Sequence, residues 1–178
     1  MTSRFLFRVL RDDETLENGI MAKNSKANKT VAYHVNQYSE KNFEDTQYIS
    51  TTSDLEIAIK LLISKKHFMN NPVLCIIDIK STTIDMSNKI IDLNNELIRQ
   101  LCFPDNKYKK AKEYAKKVNE VLILESIPSE CILGCWDYKY MQDFCMSNLI
   151  NVSYIESFIW DSVIDFLIEE RKYNCHYD

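Results

Sequence analysis

Apolar positions fall along the chain into short continuous runs and into stripes with helical spacing, so the sequence predicts both strands and helices. Runs of strand length occupy 4–10, 47–52, 72–79, 120–124 and 132–138. Stripes with the helical repeat predict helices over 30–38, 53–65, 93–101, 108–117 and from 141 onward. The run at 72–79 is apolar almost throughout, which is typical of a central strand covered on both faces.

The order of these elements indicates the fold class. Strands and helices are interleaved irregularly, and the chain has only two glycines, so it lacks both the regular alternation and the Gly-rich loop of a doubly wound nucleotide-binding sheet. The sequence therefore predicts an α+β fold. We expect a core over residues 1–138 and a C-terminal helical extension over 139–178 that packs on it, because an apolar stripe follows helical spacing over 153–171.

Composition narrows the classes of protein. The chain has 178 residues, of which 46% are apolar, so one domain with a full core is expected, as a monomer. Six cysteines form no CxxC pair and three histidines are scattered, so we expect neither a metal site nor a disulfide framework. The N-terminus has no signal-peptide pattern and no run approaches 18 apolar residues. We therefore expect no membrane association, and a cytoplasmic protein or one delivered into a host cytoplasm without a Sec-type signal.

Three separated polar positions stand out within the predicted strands. Arg8 is a charge inside an apolar strand, Ser50 belongs to a run of hydroxyls before a helix, and Glu120 begins a buried strand. An arginine, a serine and a glutamate, each on its own strand, suit cleavage of an anionic substrate with a positively charged leaving group, such as NAD.

The segments around these residues resemble a known family. In chain order, residues 6–8 read Leu-Phe-Arg, 18–21 Asn-Gly-Ile-Met, 31–34 Val-Ala-Tyr-His and 48–52 Tyr-Ile-Ser-Thr-Thr. Glu-Val at 120–121, Ile-Pro at 127–128 and Ile-Leu-Gly-Cys-Trp at 132–136 follow. Over about residues 5–138, this set is similar to the cholera-toxin-like mono-ADP-ribosyltransferases, whose signature is Arg, Ser-Thr-Ser/Thr and Glu.

The resemblance implies two small, roughly perpendicular sheets with NAD in the cleft between them, and no metal. It implies cleavage of NAD at the nicotinamide–ribose bond and transfer of ADP-ribose to a macromolecule. Glu120 would stabilise the developing ribose cation, Ser50 would orient Glu120, and Arg8 would hold phosphate or ribose. Thr52 would support the cleft wall. The implied NAD-binding set is Arg8, Val9, Arg11, His34, Ser50, Thr51 and Thr52.

One position departs from the arginine-modifying members of that family, which carry Glu-x-Glu. Val118 stands here in place of the first acid, so arginine is a doubtful acceptor and another nucleophile, or water, becomes an alternative. The segment before Glu120 is rich in lysine over 107–117, so a nucleic acid or an acidic protein surface is an open choice of partner.

Other interpretations of the same residues remain open at this point. Arg8 could form an ion pair with Asp12 or Glu14, and His34 could be a structural core histidine. The hydroxyls at 50–52 could form a turn and a helix cap, and the lysines could be a solvated helix face. As whole functions, the alternatives are an NAD glycohydrolase, a non-catalytic binding module on the same fold, and an RNA 2'-phosphotransferase, which Glu120 disfavours.

Overall fold

The computed structural model describes residues 3–14, 16–40, 44–65, 68–69, 72–80 and 84–147. The strands are β1 Phe5–Val9, β2 Ile20–Met21, β3 Tyr48–Thr52, β4 Val73–Asp78, β5 Ile90–Asp92, β6 Glu120–Leu124, β7 Ser126–Ile127 and β8 Ile132–Asp137. The α-helices are α1 Val31–Glu40, α2 Leu55–Lys65, α3 Glu96–Cys102, α4 Lys109–Lys117 and α5 Tyr138–Ser147.

Six strands form one antiparallel sheet in the order β5-β6-β3-β1-β4-β8, and β2 pairs with β7 in a second, two-stranded sheet. The strands β6, β3 and β1, which carry the polar positions singled out in the sequence, are therefore neighbours although they lie far apart along the chain. This mixture of a large antiparallel sheet, a small second sheet and flanking helices confirms the predicted α+β class.

In the middle of the large sheet, β1 and β3 are paired over a shorter stretch than their neighbours are. Strand β1 pairs with β4 at five positions and β3 pairs with β6 at five, whereas β1 and β3 are paired only where Phe7 lies opposite Thr52. The same register continued by two residues would place Val9 opposite Ser50, but the two strands separate there. The sheet thus divides into a β5-β6-β3 half and a β1-β4-β8 half, and an opening forms between them.

Apolar side chains cover the large sheet on both faces, because successive residues of a strand point to opposite sides. On one face, Leu6, Ile49 and Ile77 pack with Ile20 and Ile127 of the small sheet. On the other, the apolar stripe of α2 packs on β1 and β4, and helices α1 and α4 cover the end of the sheet that holds β6. Burial on both sides fixes the positions of the strands that border the opening.

The predicted runs agree with the longer strands, and the differences lie in the short elements. The apolar runs did not predict β2, β5 or β7, and Ile127 of β7 pairs with Ile20 of β2. The helix predicted from Met141 onward starts earlier, at Tyr138. The helical stripe over 153–171 lies outside the described residues. In the described part, no helix is both long and apolar enough to cross a membrane.

Candidate functional site

Arg8 bridges the two halves of the large sheet. Its side chain is 9% exposed, and its Nη1 donates to the carbonyl oxygen of Ser50 at 2.6 Å, on the strand from which β1 has separated. The guanidinium thus occupies the place where a backbone amide of β1 would have met β3. A guanidinium suits this position because it stays charged and can contact several oxygens at once.

The rest of the Arg8 guanidinium faces a buried carboxylate, that of Glu14. Its Nη2 and Nε lie 2.8 and 3.2 Å from the two carboxylate oxygens of Glu14, and Nη1 of Arg11 lies 2.9 Å from the same carboxylate. The Glu14 side chain is only 3% exposed. The ion pair considered from the sequence is therefore present, and it exists together with the contact to Ser50.

Glu120 is a buried acid at the start of β6. It is 2% exposed, and the Ser50 hydroxyl donates a hydrogen bond to it. Its other oxygen, Oε2, is buried and finds no hydrogen-bond partner among the described residues. Burial raises the pKa of Glu120 from 4.5 to about 7, and the hydrogen bond from Ser50 opposes that shift. The acid is thus desolvated and retains an acceptor oxygen.

His34 extends this pair into a chain of hydrogen bonds. Its Nε2 lies 2.9 Å from Oγ of Ser50, and its Nδ1 lies 2.6 Å from Oγ1 of Thr46. When the Ser50 hydroxyl donates to the Glu120 carboxylate, its oxygen must accept from Nε2–H of the histidine. The tautomer is then fixed, and the Thr46 hydroxyl donates to Nδ1. Burial, with the charge of Arg8, lowers the pKa of His34 to about 4, so the ring is neutral near pH 7.

Backbone geometry holds Glu120 in this position. The preceding residue, Asn119, has a φ of 47°, in the left-handed region that asparagine tolerates better than most residues. Its side chain donates to a carboxylate oxygen of Asp54 at 3.0 Å, and its carbonyl accepts from the backbone amide of Ser53 at 3.1 Å. The turn before β6 is therefore tied to the start of α2, which follows the hydroxyl-rich strand.

Two cavities open on either side of Arg8. The larger, about 270 Å³, is lined by His34, Thr46, Tyr48, Arg11 and neighbouring residues. The smaller, about 110 Å³, is lined by Glu120, Thr51, Thr52, Val9 and residues from α2 and α4. Arg8, Ser50 and Lys65 line both cavities. All seven predicted NAD-binding residues therefore line one or both of these cavities.

Of the three hydroxyl side chains of β3, those of Thr51 and Thr52 form hydrogen bonds with the backbone. Thr51 donates to the carbonyl of Val121 at 2.6 Å, and Thr52 accepts from the backbone amide of Asp54 at 3.1 Å. The turn considered from the sequence is therefore formed by Thr52, whereas the cap of α2 is Asp54, whose Oδ1 accepts from the backbone amide of Ile57 at 3.1 Å. Only Ser50 of the three has its hydroxyl in the chain that ends at Glu120.

Sequence reasoning missed three residues of this site as contributors to it. Glu14 was considered only as an ion-pair partner of Arg8, and Thr46 had no signal in its neighbourhood. Lys65 is the last residue of α2, and a basic side chain is common there because it interacts favourably with the helix dipole. Each is recognised only when the fold brings it against Arg8 or His34.

The side of the smaller cavity away from β3 is formed by the segment before Glu120. Tyr114 and Val118 line it, and α4, to which Tyr114 belongs, carries exposed lysines on its outer face. Within the residues that the structure describes, no group of three or more His, Cys, Asp or Glu side chains could hold a metal ion.

Comparison with known proteins agrees with this architecture. A family model described as "Domain of unknown function (DUF7587)" matches residues 1–140. No curated protein matches the chain. Among solved structures, "EcPltA" is similar over 76% of this chain and 75% of its own, with a TM-score of 0.54 and 17% identity.

Two mutants of heat-labile enterotoxin, one described as from E. coli, are also similar, at 15% and 17% identity and TM-scores of 0.49 and 0.48. They cover 76% and 74% of this chain and 69% and 68% of their own. At 17% identity, the likeness to EcPltA shows the fold alone. The chain has the ADP-ribosyltransferase fold of toxin subunits, which confirms the fold that the sequence resemblance implied.

Proposed function

The chain belongs to the family described as a domain of unknown function (DUF7587), and from its ADP-ribosyltransferase fold and its cleft we propose that it is a mono-ADP-ribosyltransferase. It would bind NAD as substrate, break the bond between nicotinamide and ribose, and transfer ADP-ribose to a macromolecular acceptor. No metal takes part in this scheme.

The observation that carries the proposal is the meeting of Arg8, Ser50 and Glu120 at one opening in the sheet. They come from three adjacent strands, and Ser50 contacts both of the others, through its carbonyl and through its hydroxyl. A buried ion pair alone would explain Arg8. It would not explain a desolvated carboxylate that keeps one oxygen without a partner in the described structure.

The chemistry follows from this arrangement. Cleavage of the C–N bond leaves positive charge on the ribose as neutral nicotinamide departs. The carboxylate of Glu120 accepts a hydrogen bond from a ribose hydroxyl through Oε2 and stabilises that charge as it forms. Ser50 and His34 keep the carboxylate in one orientation, so little reorganisation accompanies the reaction. Arg8 binds the anionic part of the substrate.

The acceptor is the less constrained part of the reaction. Val118 lines the smaller cavity beside Glu120 at the position where arginine-modifying relatives of the fold carry an acid. An apolar side chain there cannot take a proton from a guanidinium, so we favour a protein or nucleic-acid acceptor other than arginine. The same observation supports hydrolysis, with water as acceptor, as the second candidate function.

One experiment separates these outcomes. The protein is incubated with NAD labelled in the adenylate and with a cell lysate, and the products are then treated separately with protease and nuclease. Label that becomes macromolecular and is released by one treatment identifies a transferase and its acceptor class. Free labelled ADP-ribose without attachment identifies a glycohydrolase.

Two variants make the test specific. Glu120→Gln keeps the shape of the acid but removes its charge, and we expect at least ~100-fold slower release of nicotinamide. Glu125→Gln, at the exposed residue that follows β6, serves as the matched control and should keep the wild-type rate. Calorimetry that detects no NAD binding at millimolar concentration would overturn the enzyme proposal and leave a binding module.

A further inference from the structure

Lys65 is the third residue, with Arg8 and Ser50, that lines both cavities. It is the last residue of α2, half-buried against β1, with its Nζ 3.5 Å from the carbonyl oxygen of Val9. A lysine that only ended a surface helix would extend its ammonium into water. This one lies at the junction of the two cavities.

Beside this junction, several cations share one buried carboxylate, that of Glu14. Burial lowers the pKa of Lys65, and the nearby charge of Arg8 adds to that effect. Glu14 partly offsets it, Arg11 lowers the pKa further and Asp12 raises it. Lys65, Arg8 and Arg11 therefore lie near the carboxylate of Glu14, and the other acids that line the cavities are Glu44 and Asp45 in the larger one and Glu120 in the smaller one. The other direct acidic contact of Arg11 is Asp13, whose side chain is 62% exposed and so offsets little of the buried charge.

We propose that Lys65 binds the pyrophosphate of the dinucleotide at the junction of the two cavities. This inference rests on the proposed function and adds to it a residue and the group of the substrate that the residue recognises. The pyrophosphate carries two negative charges, which would interact favourably with the neighbouring cations of Lys65 and Arg8. It would also relieve the repulsion between Lys65 and Arg8.

The positions of the two cavities fit the parts of the substrate. A dinucleotide that presents its nicotinamide ribose to Glu120 in the smaller cavity brings the attached pyrophosphate toward the junction. Its adenosine half then extends toward the larger cavity, on the side of Arg11 and His34. Lys65 and Arg8 would contact phosphate oxygens from opposite sides. Lys65 would do so through its ammonium group and Arg8 through its planar guanidinium.

The test measures binding by calorimetry with two ligands, NAD and nicotinamide riboside, which lacks the pyrophosphate. We expect Lys65→Gln to bind NAD at least ~10-fold more weakly, the scale of one charge-assisted hydrogen bond. Its affinity for nicotinamide riboside should equal that of the wild type. Lys65→Arg, which keeps the charge, should restore most of the NAD affinity.

The matched control is Lys60→Gln, which removes an exposed lysine of the same helix that is paired with Glu56. It should leave both affinities unchanged. If Lys65→Gln binds NAD within twofold of the wild type, or if both ligands weaken equally, the role of Lys65 is overturned and the proposed function stands. If the wild type itself fails to bind NAD, the proposed function fails together with this inference.

Discussion

At the scale of single residues, the desolvation of the Glu120 carboxylate supports the role that we propose for it, the stabilisation of positive charge on the ribose. An acid in water is ionised well below pH 7 and is surrounded by solvent that must reorganise during a reaction. Here burial raises the pKa to about 7, and one hydroxyl in the described structure supports the carboxylate. The group is therefore less stable as an anion in the free protein and more responsive to positive charge that appears beside it.

The first prediction concerns the dependence of activity on pH. Because the ionised form of Glu120 is the reactive one, kcat/KM for NAD cleavage should rise with pH through a midpoint near 7. His34 should not contribute to this limb, since its pKa lies near 4. Initial rates of nicotinamide release between pH 5 and 9 test this, with His34→Asn as the comparison. A wild-type profile without a rise between pH 6 and 8 would contradict the assignment to Glu120.

The second prediction concerns stability. The pKa of Glu120 is higher in the folded state, so folding favours the protonated acid, and this contribution is full below about pH 4.5 and is lost as the pH rises through 7. The shift corresponds to ~3 kcal/mol. Relative to Glu120→Gln, the wild type should therefore lose about that much unfolding free energy between pH 4.5 and 8, measured by urea denaturation. A constant difference across this range would argue against the raised pKa.

A candidate site residue could be predicted from the sequence only where its residue type is unusual for the strand or helix that contains it. Arg8 is a charge in an apolar strand and Glu120 an acid at the head of one, so both could be predicted. Lys65 and Thr46 fit their local surroundings well, and their roles arise from contacts with residues distant in the chain. Local pattern contains no information about such contacts.

At the scale of elements, the separation of β1 from β3 after one paired position creates the site. A continuous ladder would have satisfied the Ser50 carbonyl with a backbone amide and left no opening between the strands. The longer strands were predictable because buried apolar runs need no partner to be recognised. The two- and three-residue strands β2, β5 and β7 were not, because so short a run has no periodicity and forms only where a partner edge is present.

Gly19 leads to the third prediction. It has a φ of 77°, and a side-chain Cβ built on it would lie 2.2 Å from the backbone carbonyl oxygen of Ile127. Gly19→Ala should therefore separate β2 from β7 and destabilise the fold by ~2 kcal/mol or more, through strain and backbone displacement. Thermal unfolding measures the loss, with Asn18→Ala at the exposed neighbouring position as the control. Equal melting temperatures for the two variants would show that the backbone can yield at Gly19.

At the scale of the whole molecule, charge is distributed unevenly. Residues 107–117 contain six lysines and one glutamate, a charge of +5, in a chain whose net charge is −4, so the remainder carries −9. This basic segment directly precedes Glu120, beside the smaller cavity. An anionic acceptor would be drawn to this end of the molecule and repelled from the rest.

The fourth prediction tests whether this uneven distribution of charge attracts the acceptor. Replacing the exposed Lys110, Lys116 and Lys117 by glutamine should slow transfer of ADP-ribose to a lysate acceptor by ~10-fold at low salt and by less at high salt. Nicotinamide release without acceptor should stay unchanged, because these three lysines line neither cavity. Glutamine at the exposed Lys26, Lys60 and Lys139 provides an equal loss of charge elsewhere. An identical slowing in both sets would leave no special role for α4.

The order of the strands also has a consequence for how the protein is made. Arg8 lies on β1 and Ser50 on β3, but Glu120 belongs to β6, which is synthesised only after β4 and β5 and must then pair with β3. A chain that ends before β6 therefore contains Arg8 and Ser50 but lacks Glu120, and its β3 lacks one of the two strands that it pairs with. By the proposed function, NAD cleavage would begin only once β6 has been synthesised and has paired with β3.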